Sequence, residues 1–259
     1  MHQSLAAIGW IGWYGFLEAV RSRLLLGTMF LVLPLMVSTW LLDTYRVGLQ
    51  VKVVKDLGLN LMSGFGLLIV LFVSLDQIIP DIERRTIAFV LTRVGNRQVY
   101  ILGRFLGVAL TLAFFHTVMA AFLTAMLRWH DQAWFWEVPL GAFVIFLKQC
   151  VLVAVVLFLT TFATRLVVIS LSVLTYVLGH TLDLFRHLAE RRGLGVVAGY
   201  VGEAVALLLP DFSLFELKMA VVHEFPVQGT AVALLALYTL CVSLFYLAAG
   251  GAILARRDL

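Results

Sequence analysis

The sequence is short of charge. Only 13% of its 259 residues are Asp, Glu, Lys or Arg, and 62% are hydrophobic, against about 25% and about 45–50% in an ordinary soluble domain. A water-soluble globule needs more polar surface than this, and a disordered chain needs low hydrophobicity. Both classes are excluded. Lysine is scarcest among the charged types: Lys52, Lys55, Lys148 and Lys218 are the four, and none follows a glycine. A phosphate-binding loop requires Gly-Lys-Ser/Thr at the start of a helix, so ATP hydrolysis is not expected in this chain. Cysteine is nearly absent. Cys150 and Cys241 lie in apolar runs and read as small buried residues rather than a disulfide. The first twenty residues hold no Lys or Arg, and no cleavable signal peptide is expected there. No fixed-period repeat or inverted symmetry is visible.

Long apolar runs are what the chain does have. A membrane-spanning helix needs about 20 mostly apolar residues, and six segments qualify: 24–42, 57–79, 104–127, 139–162, 166–185 and 229–254. They are too long for transmembrane strands and lack period-2 alternation. The expected fold is an all-α membrane protein, one membrane domain over 1–259 with six transmembrane helices. Residues 1–23, with Trp10, Trp13, Tyr14 and Phe16 ahead of Arg21 and Arg23, suit an N-terminal helix lying at the membrane interface; a tilted or partly buried helix suits their narrow polar face nearly as well. Residues 186–228 are long but greasy, with Pro210 and Pro226 ending two apolar pieces. Re-entrant half-helices between spans five and six are expected there.

Charge placement gives the orientation. Segments 1–23, 80–104, 163–166 and 255–259 share one side and carry ten Lys and Arg with four acids; the other side carries eight with nine acids. The positive side belongs in the cytoplasm. Both termini are therefore expected in the cytoplasm, with the long 186–228 segment outside. Trp129, Trp134 and Trp136 in the 128–138 loop match an interfacial aromatic belt. The +4 net charge belongs to these Arg clusters, and no nucleic-acid partner is expected.

The densest cluster is DIERRTIAFVLTRVGNRQVYILGRFLG, residues 81–107. Asp81 and Arg85 stand four apart, as a stabilising helical pair does, and Ile82, Ala88 or Phe89, and Leu91 add an apolar stripe. The spacing predicts an amphipathic helix of about ten residues; a solvated Arg-rich loop anchored to headgroups reads equally well.

The stretch resembles the loop between spans two and three of the ABC-2 type transporter permease family. Glu83, Arg84, Arg85, Thr86, Arg93, Arg97, Gly103, Arg104 and Gly107 fall in that family's pattern. Val94 departs from it, standing where the family has Pro; Gly95 and Asn96 still suit a turn. FLEAVRSRLLL at 16–26 and the closing ARRDL resemble further family features. The resemblance implies six spans with an elbow and re-entrant half-helices, and a coupling helix within 80–103 seated on a cytoplasmic ABC ATPase subunit. Asp81, Glu83, Arg84, Arg85 and Thr86 become the expected coupling interface. A dimer with a second permease subunit, identical or different, in a bacterial inner membrane is implied, with export as the direction. ATP and Mg would sit on the partner ATPase; no cofactor is expected on this chain. A secondary transporter, which would be expected to show internal repeats, and a non-transporting membrane assembly factor are the alternatives.

Other polar residues carry weaker expectations. Asp76, Lys148, His180 and Asp183 are ionisable residues in or at the end of spans, where charge is costly and by default functional. His180, Asp183 and His187 share a helical face that could accept a transition metal; a polar helix end meeting water explains the same face, and no metal site is expected. An intramembrane serine protease needs a Ser within reach of a base. Ser63-Gly64 is at most a fragment of such a motif, and the final span lacks His, leaving His116 and His180 as hydrogen-bonded structural residues.

Overall fold

The computed structural model describes residues 2–41, 50–83, 97–131, 136–192, 209–215 and 229–256. Every regular element among them is helical: α1 His2–Val20, α2 Arg23–Leu41, α3 Gln50–Glu83, α4 Arg97–Asp131, α5 Glu137–Thr160, α6 Arg165–Arg192 and α7 Gly229–Arg256, with one 3₁₀ turn at Ser213–Phe215. Among the described residues four helices, α3, α4, α5 and α7, are long and apolar enough to cross a membrane, and a fifth is reached if α1 and α2 count as one bent span. The protein is an all-α membrane protein by that measure.

The described helices cover the six expected spans with different ends. α1 and α2 meet at 57° across Arg21–Ser22, where two polar residues interrupt the apolar run. Arg165–Thr181 of α6 is apolar, and Asp183, Arg186, Glu190, Arg191 and Arg192 follow in its second half. That helix also runs through 186–192, so the expected extracytoplasmic segment loses its first seven residues to α6. Residues 193–208 and 216–228, where the half-helices were expected, lie outside the described residues.

α5 is the axis of the bundle. Its sequence is apolar all round, as a helix buried on every side must be, and Val151 through Leu157 are buried without a break. It packs against α3, α4, α6 and α7. α7 sits outside, presenting Leu234, Leu237, Leu240, Leu244 and Phe245 outward.

Glycines let α1 close on α4. A Cβ added to Gly107 would stand 3.1 Å from the Gly12 carbonyl oxygen, an unyielding backbone neighbour. Gly103 and Gly107 form a small-xxx-small pair of the kind that lets membrane helices approach, and Ile11 fills the space over Gly103. Gln77 of α3 completes the joint by donating to the Gly15 carbonyl at 3.1 Å.

Candidate functional site: a buried lysine between paired helix ends

Charges at the two ends of the bundle are neutralised in pairs. At the end holding Glu83 and Arg97, Asp81 in the last turn of α3 binds Arg104 of α4 and accepts from the Tyr100 hydroxyl at 2.6 Å. The Arg104 guanidinium also donates to Tyr100 at 3.3 Å, lies 5.4 Å from that ring's centre and reaches Glu18 of α1 at 3.9 Å. Three helices are tied there. The same end holds the Asp76–Arg165 pair between α3 and α6, half exposed on both sides, and Arg97 and Gln98, which donate to the α7 carbonyls of Leu254 and Ala248. At the opposite end Lys55, wholly enclosed, meets Glu137 at 2.8 Å.

Helix ends occupy both sides of the 80–103 segment. α3 continues through Pro80 to Glu83, and α4 begins at Arg97; residues 84–96 lie outside the described residues. Asp81 lies in the last turn of α3, at its joint with α4. Glu83 ends α3, with its side chain outside the described residues, and Arg84, Arg85 and Thr86 lie outside them altogether. Asp76 is at a helix-end ion pair, because α6 starts at Arg165 on the same level.

Lys148 is different. It stands eleven residues into α5 and twelve before its end, about 17 Å from either terminus at 1.5 Å per residue. Its side chain is buried and its ammonium donates to Ser63 Oγ at 3.1 Å and to the Tyr176 hydroxyl at 3.5 Å, 5.5 Å from the centre of the Tyr176 ring. Next to it Gln149 donates to the Ser63 carbonyl at 3.2 Å. All of these partners are neutral, and among the described residues no carboxylate pairs with Lys148. Buried charge is costly unless paired or well hydrogen-bonded, so a cation held mid-helix by hydroxyls is a place to hold a proton or receive an anionic group.

His180 extends this cluster along α6. Its ring lies 4.5 Å from Tyr176 and 6.0 Å from Phe212, centre to centre, and its Nδ1 is 3.1 Å from the Tyr176 carbonyl. Phe212 is fully buried and is anchored by its N–H to the Gly179 carbonyl at 3.1 Å. A Cβ on Gly179 would come within 2.7 Å of the Pro210 carbonyl, so only glycine admits the 209–215 segment there. Asp211 caps that segment, accepting from the Ser213 N–H at 3.1 Å as an Asx turn does. Asp183 is on α6 with its side chain outside the described residues, and among the described residues no three His, Cys, Asp or Glu side chains group as metal ligands.

No family model matches the chain, and no curated protein matches it. The site therefore rests on its geometry.

A Ser–Lys pair can activate a nucleophile, and Ser63 and Lys148 are close enough for it. Hydrolysis also needs free N–H donors where the oxyanion forms. Ser63 lies inside α3, where backbone N–H groups are spent on the helix. The pair fits binding or proton transfer better than acyl transfer. Sequence reading singled out Lys148 but missed Ser63 and Tyr176 as its partners, and Tyr100 as the partner of Asp81. Ser63 is 85 residues from Lys148, and no local pattern reports such a pairing.

Proposed function

We propose that this chain is the membrane permease subunit of an ATP-binding cassette transporter, working as an exporter with a separate cytoplasmic ATPase. The observation that carries the reading is the Asp81–Tyr100–Arg104 clamp at the two helix ends that flank the basic 84–96 segment in the sequence. A partner pressing on that connection would push on α3 and α4 together, since the clamp fixes their ends to each other and to Glu18 of α1. That is the mechanical property a coupling segment requires. The bend between α1 and α2 supports an elbow helix followed by a first span, and α6 supplies a further span if its polar half emerges from the membrane. With these the helix count reaches six.

In this reading Glu83, Arg84, Arg85 and Thr86 contact the ATPase, ATP and Mg are bound by that partner, and two permease chains form the pathway. Both termini and the 84–96 connection face the cytoplasm. The Lys148 cluster lies mid-membrane between α3, α5 and α6, placed to sense an anionic group or a proton during transport.

Expression with a tagged cassette ATPase encoded beside this chain tests the reading. The two should co-purify, and Glu83→Ala should leave the permease inserted while lowering transport-coupled ATPase activity at least about tenfold, the scale of losing a charged contact. Unchanged coupling in Glu83→Ala, or no ATPase association, would reject it.

A further inference from the structure

We propose that the Lys148–Ser63–Tyr176 cluster binds a monovalent organic carboxylate. This deepens the role proposed above for the cluster and rests on that reading for its purpose in transport. The binding itself is a property of this chain alone.

The cluster holds more donors than acceptors. An ammonium brings three N–H protons and each hydroxyl one O–H. Two ammonium protons go to Ser63 Oγ at 3.1 Å and to the Tyr176 hydroxyl oxygen at 3.5 Å. The two hydroxyls lie 3.5 Å apart, so one can donate to the other. The third ammonium proton and the remaining hydroxyl proton then meet no acceptor among the described residues. Unmet buried donors are costly, and an unmatched buried charge costs more. What completes such a cluster is an acceptor that carries negative charge. Its three heavy atoms form a triangle with edges of 3.1, 3.5 and 3.5 Å. An oxygen about 2 Å above that triangle would stand about 2.8 Å from each corner, the length of a charge-assisted hydrogen bond.

The cluster is also within reach of an occupant. Lys148 retains 8% exposure, Ser63 and Tyr176 are only partly buried, and Gly64 beside Ser63 is exposed. A Cβ added to Gly64 would meet nothing within 4 Å. Val173 and Val177, before and after Tyr176 on α6, are exposed as well, so the surroundings are apolar.

Charge and surroundings select the class of anion. Lys148 is the one cation of the cluster among the described residues, so a dianion such as phosphate would bring a charge that nothing there matches. Chloride would shed its water among apolar side chains and gain nothing from them. The hydrocarbon part of a carboxylic acid is favoured in the same place. Such a carboxylate arrives either on a free acid or on an acyl lipid.

Equilibrium binding to the purified full chain in lipid nanodiscs tests the proposal and separates the two sources. The probes are radiolabelled benzoate and octadecanoate, each compared with its uncharged amide. At least one acid should be held about tenfold more tightly than its amide, the scale of a hydrogen bond to a charged group. Benzoate would identify a free acid, and octadecanoate an acyl lipid. Lys148→Met should abolish the preference, and equal concentrations of chloride or phosphate should leave it unchanged. Ser63→Ala and Tyr176→Phe, which each remove one oxygen, should reduce it about fivefold and keep the test decisive if Lys148→Met does not fold. Acids held no better than their amides, a preference unchanged in Ser63→Ala and Tyr176→Phe, or displacement by chloride at equal concentration overturns the proposal. Retained acid binding without ATPase association would reject the transporter reading and leave this site standing.

Discussion

The ends of the bundle and its middle treat charge in opposite ways. At the ends, acids meet bases: Asp81 with Arg104, Asp76 with Arg165, Lys55 with Glu137. In the middle, Lys148 is held by Ser63 and Tyr176, which carry no charge. Paired ends are what an assembly of apolar helices needs for register, because apolar packing alone is non-directional. An ammonium held only by hydroxyls gives up stability that an apolar residue of similar size would supply. Structure accounts for the first arrangement; the second calls for a function.

That contrast breaks most sharply at Lys148. Lys148→Met should leave the unfolding midpoint in detergent unchanged or raised, because it removes a buried charge, and on the proposed transporter function it should lower transport-coupled ATPase activity at least about tenfold. A folded, fully active variant would reduce the site to packing. Asp81→Ala should do the reverse. It strips Arg104 of its main carboxylate, which should cost about 3 kcal/mol in a denaturant titration, with Tyr100→Phe adding less than its separate effect, since both act through one joint. Glu137→Ala should cost about 2 kcal/mol, because the enclosed Lys55 loses its 2.8 Å partner. Asp76→Ala should fall within about 0.5 kcal/mol, since the pair it breaks is half exposed and solvent weakens such bridges. If Asp76→Ala proved as harmful as Asp81→Ala, the ranking of the pairs by burial would fail.

How legible the molecule was in its sequence varies by feature. Helix positions followed from runs of apolar residues, and α5 extends over 137–160 against the expected 139–162. The start of α2 was readable for a local reason, because Arg21, Ser22 and Arg23 break the run. Boundaries failed where the helix outlasted its apolar stretch. α3 crosses Pro80 to bring Asp81 to Tyr100, and α6 carries its polar half to Arg192. Hydropathy marks where a helix is greasy, and backbone hydrogen bonding continues beyond that point when side chains find partners. Lys148 and His180 stood out because charge and imidazole are rare in apolar runs, while Ser63, Tyr176 and Phe212 are ordinary in such runs and acquire meaning only in three dimensions.

By itself the sequence determined the solvent and the secondary structure. A chain with 13% charge and long apolar runs must satisfy its backbone internally within lipid, and helices are the local way to do so. The tertiary structure decided which charges are neutralised and which are not. That depends on contacts between residues 23 to 89 positions apart, which no local pattern encodes. It left Lys148 among hydroxyls at mid-helix and the buried His116 bonded to the Leu112 carbonyl.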